Sequence, residues 1–545
     1  PATLTEFIKY AVKNYPADRN ILIFWDHGGG SLSGYGYDET HKSSGSMNLA
    51  GIDKALSNAG IKYDFIGFDA CLMATVETDL MIAKYADYAI SSEETEPGVG
   101  WYYTNWLTKL SANTSMPTIE LGKNIIDDFV DECNRSCPGQ QTTLSLVDLA
   151  ELSSTVSDEF KAFSKSTTDL ITNKKYEVVS DARSSSREFC QSSAIDQIDL
   201  INFALNMETD EGKALANTLL SAVKYNRTSS NMTNAYGISI YFPYRKTSSV
   251  DSAVSTYDQI GLDDEYSDCI KEFAGLQGAG QAVGGNSSSS LFSLLQGGQA
   301  GSGSSNQSFD AIFSLISSLT DTNTSGRSMS NEDAAGYVSS NILDSSKLTW
   351  SSDLDGKKYI ALDADDWKLI QSVDLNVFVD DGKGYIDLGL DNLYSIDDYG
   401  NLIADTEGTW ISFNGQPVAY YHLDTTGDMI TGKVPALLNG DRVNIIVQLD
   451  YNTGNGAVLG AEPVYDESVE TEFRGLVDIV DGDKIDLLCD YYSYDGSYLD
   501  SYYLGKQITV NGRIEVSDTF IDSRYIGMYK FTDIYGQSYW SERFE

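Results

Sequence analysis

Two short apolar runs, each closed by a chemically loaded tail, constrain this chain more than any other feature: ILIFWDHGGG (Ile21–Gly30) and DFIGFDACLMA (Asp64–Ala74). Both are rich in β-branched or aromatic residues and bounded by glycine, the pattern of a strand buried on both faces. Between them, Asn48–Gly60 (NLAGIDKALSNAG) sets Leu49, Ile52, Ala55, Leu56 and Ala59 near helical spacing. Asn48 suits an N-cap and Gly60 a C-terminal stop. Strand, loop, helix, strand predicts a βαβ unit with parallel strands. Their carboxyl ends then share one sheet edge, where open α/β sheets bind ligands. His27 leaves the first strand there and Cys71 the second. A cysteine and a histidine brought together in this way can form a thiolate–imidazolium pair, an activated nucleophile.

Each residue also has a plainer reading. His27 is one of only three histidines, with His41 and His422, and a turn histidine can be structural. The three glycines that follow it, however, let backbone N–H groups approach a ligand closely. A free cysteine is most often buried and inert. Cys71, though, precedes a stretch read as a helix (Leu72–Ala86), whose N-terminus would favour a thiolate. Asp69 falls two residues before Cys71, so strand alternation puts both side chains on one side. Its alternative role is to cap the following helix. Glu93, Glu94 and Glu96 add acid in the loop after a third strand (Tyr88–Ser92).

Further along, Ile119–Cys133, Leu152–Leu170, Ile195–Met207 and Leu215–Val223 read as helices. Thr142–Leu149 and Ala235–Pro243 read as strands. Alternation of the two predicts a mostly parallel sheet between helices. At Ala274 the composition shifts to Gly, Ser and Gln, the texture of a flexible linker, with apolar patches at Leu291–Leu295 and Ile312–Leu319. From about Leu348, short Val/Ile/Tyr/Trp segments separated by Asp-Gly and Asn-Gly turns predict a β-sandwich or β-barrel. The expected organisation is an α/β domain over 1–273, a linker with short helices over 274–330, a β-rich module over 331–466, and a second module or continuation over 467–545.

Acidic residues outnumber basic ones 80 to 37 in 545 residues, a formal charge of −43. Such a field argues against nucleic acid and favours cationic ligands, including basic peptides and metal ions, although plain solubility also accounts for it. No apolar run approaches the ~20 residues of a membrane span. A chain opening at Pro1 reads as a trimmed, mature fragment.

The stretches NYPADRNILIFWDHGGG, FDACLMATVE and EETEPGVGWYY resemble the clostripain-like cysteine peptidases, members of the clan of caspases, gingipains, legumains and separases. The resemblance covers Pro1 to about Phe273. It implies a caspase-like α/β/α sandwich and a cysteine endopeptidase that cleaves after Arg or Lys. His27 would be the general base and acid, and the backbone N–H groups of Gly28 and Cys71 would hold the oxyanion. Asp69 would line the S1 pocket, with Glu94 and Glu96 adding acid and Trp101 flanking it. Self-cleavage is expected at Lys42, the one basic residue of the Gly28–Met47 loop. The resemblance implies no cofactor for the chemistry, but calcium is an expected ligand. Oxygen-rich turns at Asp363–Asp366, Val379–Asp387 and Leu449–Gly456 offer donors, and none of them fixes a site. The expected protein is a secreted or cell-surface bacterial peptidase, a monomer or a two-chain form after self-cleavage. The competing reading is an acidic binding or adhesion protein whose peptidase-like domain is an inactive scaffold.

Overall fold

The structure, a computed structural model, describes residues 1–38, 40–193, 195–283, 288–297, 312–313, 329–464, 471–472, 475–521 and 524–545. Two compact units emerge: Pro1–Ala274 with Tyr465–Leu476, and Gly275–Val464 with Val477–Glu545.

The first unit is built on strands β1 (Ile21–Trp25), β2 (Tyr63–Asp69), β3 (Ala86–Ser91), β4 (Thr143–Asp148), β5 (Gln197–Asp199), β6 (Val223–Thr228) and β7 (Ser239–Tyr241). Five of them form a sheet in the order β1-β2-β3-β4-β6. Strands β1, β2 and β3 pair in parallel, while β4 is antiparallel to both β3 and β6. Four of the five therefore share one direction, as the alternating pattern predicts. Phe65, Ile66 and Phe68 are fully buried, and burial of each contributes about 1.5–3 kcal/mol. Phe65, with Ile90, Leu144 and Leu146, packs against Ile125, Phe129 and Val130 of the helix Thr118–Ser136. Alternation sends Ile66 and Phe68 to the opposite face. The helix between β1 and β2 is Leu49–Ala59; the Asn48 side chain accepts from the Gly51 N–H, and Gly60 ends it in the left-handed conformation.

Three sequence expectations change. The helix after Cys71 spans only Val76–Ile82. Ala70–Thr75 is loop, with Leu72 at a φ of 66°, and the apolar run LMA is buried by loop packing rather than on a helix face. Within Ile195–Met207 only Leu200–Asn206 is helical, preceded by β5. Strand β5 pairs with β7 in a separate two-stranded sheet. Finally, the helix Asp264–Val283 runs into the stretch read as linker.

In the second unit the β-rich stretches on both sides of residue 466 contribute to one 14-stranded sheet. Lys484–Ser493 pairs with both Gly384–Asp391 and Met429–Leu438, so the sheet curls around a core that includes Val377, Leu388, Tyr420, Val434 and Ile445. Leu291, Leu294 and Leu295 dock on Phe378, Ile526 and Met528. Most of Gly275–Gln307 and Ile312–Leu319 beyond these elements lies outside the described residues. Among the described residues no helix is long and apolar enough to cross a membrane.

Candidate active site

Parallel pairing fixes the first juxtaposition. Trp25 is in register with Asp69, so the two strands end side by side and send His27 and Cys71 off the same sheet edge. The backbones are close enough that glycine is required at position 28: a Cβ there would lie 2.1 Å from the Cys71 carbonyl oxygen. The tails of β1 and β2 thus meet where the sequence places them.

Cys71 is wholly buried, and its Sγ accepts from the Glu96 N–H at 3.3 Å. Burial raises the thiol well above its ordinary value. The carboxyl groups of Glu96, Glu472 and Glu94 add to the shift, and the Glu96 N–H partly offsets it. The expected help from a helix N-terminus is missing, because that helix starts only at Val76.

An acidic wall stands beside it. Asp69 is buried and accepts from the Tyr103 Oη at 2.8 Å and the Trp101 N–H at 3.4 Å. It does not cap the following helix, whose cap is Thr75. Glu96, also buried, accepts from Trp101 Nε1 at 3.1 Å, and burial holds its carboxyl well above the usual range. Trp101 therefore bonds to both carboxyls, through its backbone to one and its ring to the other. Gly67 makes room for that ring: a Cβ at Gly67 would lie 2.7 Å from Trp101 Cη2. A cationic side chain is the natural complement of two buried carboxyls held 27 residues apart in sequence by one tryptophan.

Glu94 faces other partners. Its carboxyl accepts from the Thr95 and Cys190 N–H groups at 2.7 and 3.1 Å, and burial pushes it up to about 7. Glu93 accepts from the Gly237 N–H at 2.9 Å and lies against Asp199, burial raising both. Lys42 opens a single 3-10 turn, Lys42–Ser44.

Tyr103 and Glu472 are the site residues that sequence reading passes over. Tyr103 is the last residue of the GVGWYY stretch already singled out and could have been found there. Glu472 has no such signal. Its N–H donates to the Gly28 carbonyl at 2.9 Å, and its own carbonyl accepts from His27 Nδ1 at 3.0 Å.

The oxygen-rich turns use their carboxylates internally. Asp363 caps the turn Ala364–Trp367, and Asp366 pairs with Lys347. Asp381 accepts from the Lys383 and Gly384 N–H groups, and Asp450 from those of Asn452 and Thr453. Among the described residues no cluster of three or more His, Cys, Asp or Glu is arranged to hold a metal ion.

Several solved structures are similar over part of the chain. An inactive zymogen C11 protease from Parabacteroides distasonis shares 21% identity over 49% of this chain and 75% of its own, with a TM-score of 0.37. A secreted C11 cysteine protease from Bacteroides thetaiotaomicron, in complex with an irreversible peptide inhibitor, shares 22% over 48% and 78%, with a TM-score of 0.36. A clostripain from Bacteroides thetaiotaomicron, in complex with a peptide inhibitor, shares 19% over 42% and 100%, with a TM-score of 0.32. None of the curated proteins compared with the chain matches it significantly. The model of the clostripain family, peptidase family C11, matches residues 1–292, more than half of the sequence and the whole of the region around His27 and Cys71, and the chain belongs to that family of cysteine peptidases.

Proposed function

We propose that this protein is a cysteine endopeptidase cleaving after Arg or Lys, with Cys71 as nucleophile and His27 as general base and acid. Cys71 Sγ attacks the substrate carbonyl, and its proton passes to His27. The backbone N–H groups of Gly28 and Cys71 hold the oxyanion. His27 then protonates the leaving amine, and a water activated by His27 hydrolyses the thioester. Asp69 and Glu96 receive the basic side chain, with Trp101 between them and Glu94 behind. The observation that supports this reading is the β1–β2 register, which sends the tails carrying His27 and Cys71 off one sheet edge, with Gly28 against Cys71, near the Asp69–Trp101–Glu96 wall.

The same chemistry applied to its own chain predicts self-processing at Lys42–Ser43, giving a two-chain molecule. Release to the cell exterior and a response to calcium complete the proposal. The scaffold reading, a binding protein without activity, predicts an inert Cys71.

The test is a panel of fluorogenic peptides with Arg, Lys or Asp before the reporter, under reducing conditions, with calcium or with chelator. Wild type should turn over the Arg and Lys peptides, and Cys71→Ala should lose about 10³-fold or more. Two fragments on a denaturing gel from wild type alone would mark self-cleavage. No turnover by wild type, together with a Cys71 inert to iodoacetamide even after proteolytic nicking, would sink the enzyme reading.

A further inference from the structure

Tyr465–Leu476 belongs to the first unit, although the chain on either side of it builds the second. Its described residues, Thr471, Glu472, Gly475 and Leu476, have a definite seat. Glu472 forms an antiparallel bridge with Gly28, its N–H on the Gly28 carbonyl and its carbonyl on His27 Nδ1. A carbonyl can only accept, so the contact requires the imidazole proton to sit on Nδ1. The Glu472 carboxyl is among the charges that raise the Cys71 thiol. Thr471 is buried. Four residues on, Gly475 lies so close to Gly98 that a Cβ would come 2.3 Å from its backbone nitrogen. Gly98 belongs to the loop that carries Glu96 and Trp101. The stretch thus touches both walls that flank Cys71, the His27–Gly28 tail on one side and the acidic loop on the other.

We propose that Glu472 and Gly475 anchor an intramolecular inhibitor at the tails that carry His27 and Cys71, and that cutting the chain after Arg474 releases it. The inference rests on the peptidase reading above. Arg474 is the only basic residue of Tyr465–Leu476 (YDESVETEFRGL), and it stands in the chain between the Glu472 and Gly475 contacts. The buried Asp69 and Glu96 select a cation, so this bond is the one in the stretch that a second copy with an open cleft would accept. In that step water is added across the Arg474–Gly475 amide by way of a thioester on the cutting copy's cysteine, leaving a carboxylate on Arg474 and an amine on Gly475. The freed end carries Asp466, Glu467, Glu470 and Glu472, four carboxylates in a molecule of formal charge −43. Like-charge repulsion then disfavours its return to an acidic cleft.

The experiment follows full-length wild type, Arg474→Gln, and a variant with Tyr465–Leu476 replaced by a Gly/Ser linker of equal length. Each is incubated at micromolar concentration, assayed with a P1-Arg peptide, alkylated with iodoacetamide, and sequenced at any new N-terminus. Wild type should show a lag, a new N-terminus at Gly475, and a rise in turnover of roughly tenfold or more, the factor expected if about nine-tenths of the molecules start blocked. Arg474→Gln should stay intact at that bond and keep the initial rate, while the linker variant should run without a lag. Equal initial rates for all three, with the Arg474–Gly475 bond intact, would overturn the inference and leave the peptidase reading standing. No turnover and no alkylation of Cys71, even in the linker variant, would overturn both.

Discussion

Glu96 touches the chemistry twice, through its N–H on the Cys71 sulfur and its carboxyl on Trp101. Its side chain and backbone can therefore be tested apart. Glu96→Gln keeps the N–H and the ring contact but removes the charge a basic side chain would meet. A hydrogen bond to a charged group contributes ~1.5–3 kcal/mol, so kcat/KM for a P1-Arg peptide should fall about 10- to 100-fold. The rate of Cys71 alkylation should stay close to wild type. A matching loss of alkylation would mean that the residue acts on the thiol rather than on the substrate. Gly28 makes the opposite case. Gly28→Ala must displace the Cys71 peptide, because the added carbon would sit 2.1 Å from its carbonyl oxygen. Moving the N–H proposed to hold the oxyanion in this way should lower kcat by about 10²-fold with little change in KM, measured on the same peptide.

The elements around the site divide into those legible in the sequence and those that were not. Strands β1 and β2, the capped helix between them and the approach of the two strand tails, Gly28 to Cys71, all follow from contiguous apolar runs, caps and glycines, which are local signals. Strand β6, VKYNRT, escaped because every residue in it is only half-buried; a polar outer strand has no hydrophobic run to announce it. Strand β5 is three residues long, too short to show a period, whereas β7 lies inside the run Ala235–Pro243 read as a strand and is only shorter than that run. The helix after Cys71 was read too early because LMA is as apolar as a helix face, whereas the positive φ of Leu72 leaves no trace in composition. Glu472 reaches His27 across 445 residues of chain, and nothing local encodes that. The β2 strand also makes its own prediction. Gly67→Ala would press on Trp101 at 2.7 Å, and Trp101 holds Asp69 and Glu96 together. The variant should therefore lose P1-Arg selectivity and stability at once. Tyr103→Phe, which removes only the 2.8 Å bond to Asp69, should cost about 1 kcal/mol of P1-Arg recognition and leave the melting temperature nearly unchanged. Comparing kcat/KM and thermal unfolding of the two variants separates a packing role for the wall from a purely electrostatic one.

Across the whole molecule, acid is buried as well as displayed. Burial lifts Glu94 from 4.5 to about 7, and Asp199, Asp387 and Asp533 from 3.8 to about 7. These lie in both units: Glu94 and Asp199 in the first, Asp387 and Asp533 in the second. Each takes up a proton on folding over the interval between its unfolded and folded values. The native state then holds more protons than the unfolded chain, so stability falls as pH rises. The contribution is fully present below about pH 4 and is lost as pH climbs through about 7. The surface acts in the same direction, since the charge of −43 is reached only as carboxyls ionise, and self-repulsion grows with it. Denaturant unfolding measured from pH 5 to 8 should therefore show stability declining steadily through neutrality. Asp533→Asn should flatten the transition of the second unit and Glu94→Gln that of the first. A stability maximum at or above pH 8, or slopes unchanged in both variants, would show that these carboxyls are ionised in the folded protein. In that case the acidic wall beside Cys71, buried by the same packing, would also be charged before any substrate arrives, and Glu96 would already carry the negative charge that attracts a basic side chain.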